Sequence, residues 1–188
     1  MRLFIAAQIP QGIRDGLAAL MTGLKKEIPG LRWVRPEGMH LTLRFLGDVA
    51  ESDLARLGGE VRRNLAGSAG PFDVRVEGLG LFPEKGRARV LWVDLVEPTG
   101  ALVVLHSMVE RAVVGAALPG VKKEDRPFRP HLTLARFGDG RPPSGIASAV
   151  AARQQRGWGQ FTVSSVCVFQ SLLKPGGAEY RRLEEYRL

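Results

Sequence analysis

A chain of 188 residues, 45% hydrophobic and 24% charged, has room for one domain or two small lobes sharing a core, which excludes disordered and fibrous classes. Its formal charge of +8 is carried mostly by arginine, whose planar fork matches phosphate oxygens. A generally basic proteome would give the same sum, so charge alone assigns no partner.

Residues 1–8 read as a first strand, and the apolar run from Phe4 to Ala7 stops at Gln8 and Pro10 with no small-residue cleavage site behind it. No apolar stretch approaches membrane-spanning length, so a cytoplasmic protein that does not engage membranes is expected. Ile13, Leu17, Leu20, Met21 and Leu24 then recur at helical spacing until Pro29-Gly30. Residues 31–34 and 39–46 read as strands, Gly47-Asp48 as a turn, and the run from Glu51 through Leu65 as a helix. A strand pair follows at 71–82 and 88–96, joined by the turn-rich Pro83-Glu84-Lys85-Gly86.

A second round opens at Pro98-Thr99, where Leu102, Leu105, Val109, Ala112 and Val113 form one face of a helix ending near Pro119-Gly120. A loop bearing Lys122, Lys123, Arg126 and Arg129 leads into a strand at 131–137. A short helix at 146–153 and strands at 160–170 and 180–188 complete the chain. The order is neither strictly alternating nor segregated, and the hairpin-like pairs predict antiparallel sheets with helices packed on one face. The single cysteine, Cys167, sits among strand-forming residues and is expected to be a buried structural thiol.

One internal repeat stands out. His40-Leu41-Thr42-Leu43-Arg44-Phe45-Leu46-Gly47-Asp48 matches the segment from His131 to Asp139 at six of nine positions. Two copies imply duplicated halves, where a solenoid would need more. Strand side chains alternate, so each copy turns its His and Thr to one face and its first two leucines to the other, into the core. A lone strand histidine is ordinarily a hydrogen-bonded, partly buried residue. Here two of three histidines occupy equivalent places in the repeat. The third, His106, lies off the apolar stripe of its helix, one turn before Glu110, and is expected to be a solvated helix residue.

Two facing imidazoles can divide acid and base work near neutral pH, one donating a proton while the other accepts. That division suits in-line displacement at phosphorus, with attacking water on one side and the departing ribose oxygen on the other. Thr42 and Thr133 could each donate a hydroxyl hydrogen bond to non-bridging phosphate oxygens. No third His, Cys or carboxylate stands at recognisable ligand spacing, so no metal is expected; Asp48 and Asp139 read as turn or cap residues. The chain has no P-loop, no G-x-G-x-x-G and no G-x-S-x-G elbow, so no cofactor is expected either.

These two His-x-Thr elements resemble those of the 2H phosphoesterase superfamily, and more closely its RNA 2′,3′-cyclic phosphodiesterase branch, also called 2′-5′ RNA ligase. Arg2-Leu3-Phe4-Ile5-Ala6, the flanks of both repeats and the closing run from Phe169 to Tyr180 share the resemblance, which covers nearly the whole chain. It implies an α+β fold: a single bilobal domain over 1–188 with pseudo-twofold symmetry, an antiparallel sheet in each lobe lining a central cleft, and helices outside. It also implies metal-independent hydrolysis of RNA 2′,3′-cyclic phosphate ends to 2′-phosphates, with His40 as proton donor and His131 as proton acceptor. Phe45 and Arg136 are similar to the family pair that sandwiches the terminal base by stacking and cation–π contact. Strict alternation would put both on the wrong face, so a bulge, twist or strand end is required there. The partner implied is RNA with a cyclic phosphate end; no protein partner is expected, and the chain is expected to be a monomer. ATP-independent 2′-5′ ligation by the reverse reaction, and a non-catalytic RNA-end-binding module, are the alternatives.

Overall fold

The computed structural model describes residues 1–84, 86–138, 143–174 and 177–188. Nine strands form two antiparallel sheets among these residues. The first sheet orders its strands β3-β1-β8-β9, where β1 is Arg2–Gln8, β3 is His40–Asp48, β8 is Ser165–Lys174 and β9 is Gly177–Arg187. The second runs β2-β6-β5-β4-β7, comprising Arg32–Trp33, His131–Arg136, Val90–Val96, Phe72–Phe82 and Gly157–Val163 respectively. Helices α1 (Gln11–Glu27) and α4 (Ile146–Ala151) touch β7 and β4 of the second sheet. Helices α2 (Leu54–Leu65) and α3 (Ala101–Gly115) lie side by side, α2 against β9 and α3 against β3. This is the two-sheet α+β architecture expected from the resemblance.

The sheets do not correspond to the two halves of the chain. From β1 the chain visits the second sheet at β2, returns at β3, leaves again at β4 and comes back only at β8. The apolar run expected to be one strand over 160–170 is therefore two, β7 and β8, in different sheets and separated by Ser164 alone. Good strand formers on both sides hide such a switch from a reading of periodicity.

Strand β1 is central and buried on both faces, which explains its nearly continuous apolar sequence. Leu3, Ile5 and Ala7 join the main core, while Phe4 and Ala6 form a separate cluster with Cys167 and Phe169. Cys167 is wholly buried, and burial pushes its thiol pKa up, as a structural cysteine requires. Asp48, expected in a turn, instead pairs with Arg2 at the end of β3. Gly47 beside it takes φ +74°, a left-handed backbone that glycine adopts without strain. Asp139 lies outside the described residues.

Candidate active site

Each His-Leu-Thr-Leu strand pairs with the strand that precedes it across a helix, and the two pairings share one register. His40, Thr42 and Phe45 stand opposite Gln8, Ala6 and Phe4. His131, Thr133 and Arg136 stand opposite Asp94, Trp92 and Val90. In both ladders the register slips by one residue just after the threonine, leaving Leu43 and Leu134 as the extra residues. The bulge buries two consecutive positions, Leu43-Arg44 in one strand and Leu134-Ala135 in the other. The fifth residue after each histidine thereby returns to the histidine's face. Phe45, 59% exposed, and Arg136 both line the same cavity of about 730 Å³ as His40, Thr42, His131 and Thr133.

Both imidazoles are oriented in the same way. Nδ1 of His40 donates to the Gly38 carbonyl and Nδ1 of His131 to the Arg129 carbonyl, each at 2.7 Å and each two residues upstream. A carbonyl only accepts, so the neutral rings carry their proton on Nδ1 and leave Nε2 as an acceptor for the cleft. Their surroundings differ. His40 sits among Phe4, Tyr180 and Phe169, with ring centroids at 4.5, 5.0 and 6.4 Å. His131 meets the edges of Phe82 and Trp92 at 5.0 and 6.1 Å. Trp92 can lie flat there because Gly80 on the next strand has no Cβ; one would fall 2.1 Å from the indole.

Burial lowers the pKa of His40 to about 4; the Gly38 bond opposes this, and the charge of His131 adds to it. Burial also lowers that of His131, with Arg136 acting in the same direction and the Arg129 carbonyl and Asp94 against. The unfolded chain therefore binds protons more readily than the folded one between the ordinary value of 6.5 and the lowered value. Stability present above pH 6.5 should fall as the pH drops toward 4, with His40 contributing no more than about 3 kcal/mol. Urea midpoints at about pH 7.5 and about pH 5 test this: His40→Gln should narrow the difference, and an equal loss in both proteins refutes it.

His106 is not the solvated residue expected of it. Its ring stacks on Phe128 at 4.1 Å and 11°, is half-buried, and lines the cavity, because the loop before β6 folds over α3. The basic loop itself divides. Arg126 and Arg129 line the cavity but are held by Glu124 and Glu84, whereas Lys122 and Lys123 are exposed away from it. Arg44 has no role that its place in the repeat reveals, yet it is 6% exposed and its Nε lies 2.5 Å from Glu110 of α3. Its guanidinium also donates to the Lys122 and Phe45 carbonyls and lies 3.6 Å from Glu124, tying β3 to α3 and to the loop before β6.

Two equivalent His-x-Thr strands, one from each sheet, thus line one cavity. The LigT-like phosphoesterase profile matches the chain twice, over residues 8–92 and 93–180, once for each histidine strand. The chain belongs to that family, part of the 2H superfamily, and the resemblance read from the repeat is borne out. It is 31% identical over 188 residues to an RNA 2′,3′-cyclic phosphodiesterase of Methanothermobacter thermautotrophicus, covering 100% of this chain and 99% of that one. It is 34% identical to one of Thermus thermophilus, covering 100% and 90%. Among solved structures, TT0787 of Thermus thermophilus superposes with a TM-score of 0.77 at 30% identity, covering 100% of this chain and 98% of that one. E. coli LigT complexed with 3′-AMP gives 0.75 at 25% identity, covering 100% and 97%.

Proposed function

We propose that this chain hydrolyses the 2′,3′-cyclic phosphate at an RNA end to a 2′-phosphate, using His131 as proton acceptor and His40 as proton donor and no metal. The observation that carries the reading is the matched pair of imidazoles, each fixed through Nδ1 and each presenting Nε2 to one cavity. Relatives that cover the whole chain carry the name of that activity. Water attacks phosphorus while Nε2 of His131 takes its proton, and the bond to the 3′ oxygen breaks as Nε2–H of His40 protonates it. Thr42 and Thr133 donate hydroxyl hydrogen bonds to the non-bridging oxygens, where charge develops. Phe45 stacks on the terminal base and Arg136 supplies the cation–π contact on its other side.

The proton donor must be charged, and the aromatic surround of His40 opposes that in the free protein. A phosphate monoanion entering the cleft supplies the missing counter-charge, and the low intrinsic basicity then makes the ring a strong acid toward the leaving oxygen. The same two groups serve the reverse transesterification, in which an RNA 5′-hydroxyl is joined to the cyclic phosphate without ATP. Incubating the protein with EDTA and an oligonucleotide ending in a 2′,3′-cyclic phosphate should yield the 2′-phosphate by ³¹P NMR. Tight, salt-sensitive RNA binding with no turnover of cyclic phosphates would replace the proposal with an RNA-end-binding module.

A further inference from the structure

The two histidine strands match in register, but the residue beside each histidine does not. Opposite His40 stands an amide, Gln8, whose oxygen accepts from Arg182 at 3.1 Å. Opposite His131 stands a carboxylate, Asp94. One strand further, β4 sets Glu77 directly opposite Asp94, and Arg75 holds Glu77 at 3.2 Å. The burial alternation of β5 turns Trp92 and Asp94 to the less buried face, the face that His131 and Thr133 occupy in β6. A lateral row His131–Asp94–Glu77 thus crosses the second sheet, while the first sheet surrounds His40 with Phe4, Phe169 and Tyr180.

We propose that Asp94 is a positioning residue that sets the direction of proton flow, its carboxylate stabilising the imidazolium that forms when His131 takes a proton from the attacking water. The inference rests on the cyclic phosphodiesterase reading above. As the water oxygen bonds to phosphorus, its proton passes to Nε2 of His131; as the bond to the 3′ oxygen breaks, that oxygen takes the proton of His40. The products are a 2′-phosphate and a 3′-hydroxyl, and the two rings exchange protons with solvent before the next turnover. In the reverse assignment the charge would develop on His40, beside an amide and three aromatic rings, with no carboxylate across the strand. Charge is therefore gained beside Asp94 and lost among apolar rings, and both changes lower the barrier in the same direction.

Other charged groups bear on His131 as well. Arg136 on its own strand opposes the cation, the side chain of Arg129 before it is held by Glu84, and His40 faces it across the cleft. Burial raises the Asp94 pKa, the Leu95 N–H at 2.9 Å opposes that rise, Glu77 adds to it and His131 counters it.

The test uses full-length protein carrying Asp94→Asn, which keeps the shape and removes the charge. Titration of the labelled imidazoles by NMR in the free protein should show the His131 midpoint falling by roughly half to one pH unit while His40 and His106 hold. With a cyclic-phosphate oligonucleotide, kcat should fall roughly three- to tenfold with KM little changed, and the limb of the kcat/KM profile that belongs to the base should move to lower pH. The reciprocal change, Gln8→Glu, should raise the His40 midpoint. An unmoved His131 midpoint and an unmoved limb in Asp94→Asn overturn the role of Asp94 and leave the phosphodiesterase reading standing. A wild-type protein that turns over no cyclic phosphate overturns both, even with the Asp94–His131 coupling intact in the titration.

Discussion

Replacing His40 or His131 by alanine should slow opening of a 2′,3′-cyclic phosphate by roughly two to four orders of magnitude, and replacing both should cost little more than replacing one. The non-additivity follows from the geometry. In the proposed mechanism each ring would serve one apical oxygen of the same in-line displacement, so losing either end would leave the other group with an unassisted partner step. KM should change much less than kcat, because Thr42, Thr133, Phe45 and Arg136 still line the cavity. Steady-state kinetics on a cyclic-phosphate oligonucleotide make the measurement, and wild-type turnover in the His40→Ala, His131→Ala double variant removes the mechanism altogether.

Arg44→Ala should destabilise the fold by about 3–5 kcal/mol, since it strands a buried carboxylate. Glu110 is 15% exposed and would lose its partner at 2.5 Å, and the Lys122 carbonyl would lose its donor. Removing both charges together, as Arg44→Met with Glu110→Leu, should recover most of the loss, because a buried pair is costly mainly when half of it remains. Urea denaturation of Arg44→Met, Glu110→Leu and the double variant closes the cycle, with Arg44→Ala measured beside them. A single variant within about 1 kcal/mol of wild type would show that water reaches Glu110 and that the pair does not anchor β3.

The elements that were legible in the sequence are those whose pattern is local. Helices α1 and α3 follow from their apolar spacing, and the histidine strands from the repeat itself. Register was not legible. The bulge that returns Phe45 and Arg136 to the histidine face consists of two successive buried residues, and Leu43-Arg44 reads as one apolar and one charged position until Glu110 supplies the partner. Leu134-Ala135 looks unrelated to it by sequence, though both pairs fill the same place. The surroundings of His106 are hidden for a similar reason. Nothing on its own helix marks Phe128, which reaches it from the loop that covers α3. Neighbours that come from other strands, such as Tyr180 beside His40 and Asp94 beside His131, are set by sheet order, which one chain's periodicity does not encode.

The switch at Ser164 bears on how far the two sheets can part. Two-lobed enzymes commonly close on ligand by bending a flexible connection of several residues. Here β7 passes into β8 through one residue, and the Leu188 N–H fastens the Ser164 carbonyl at 3.0 Å. Arg44 ties β3 to α3 as well. The first sheet, with His40 on β3, and the second, with His131 on β6, are thus joined at this point with little slack between them.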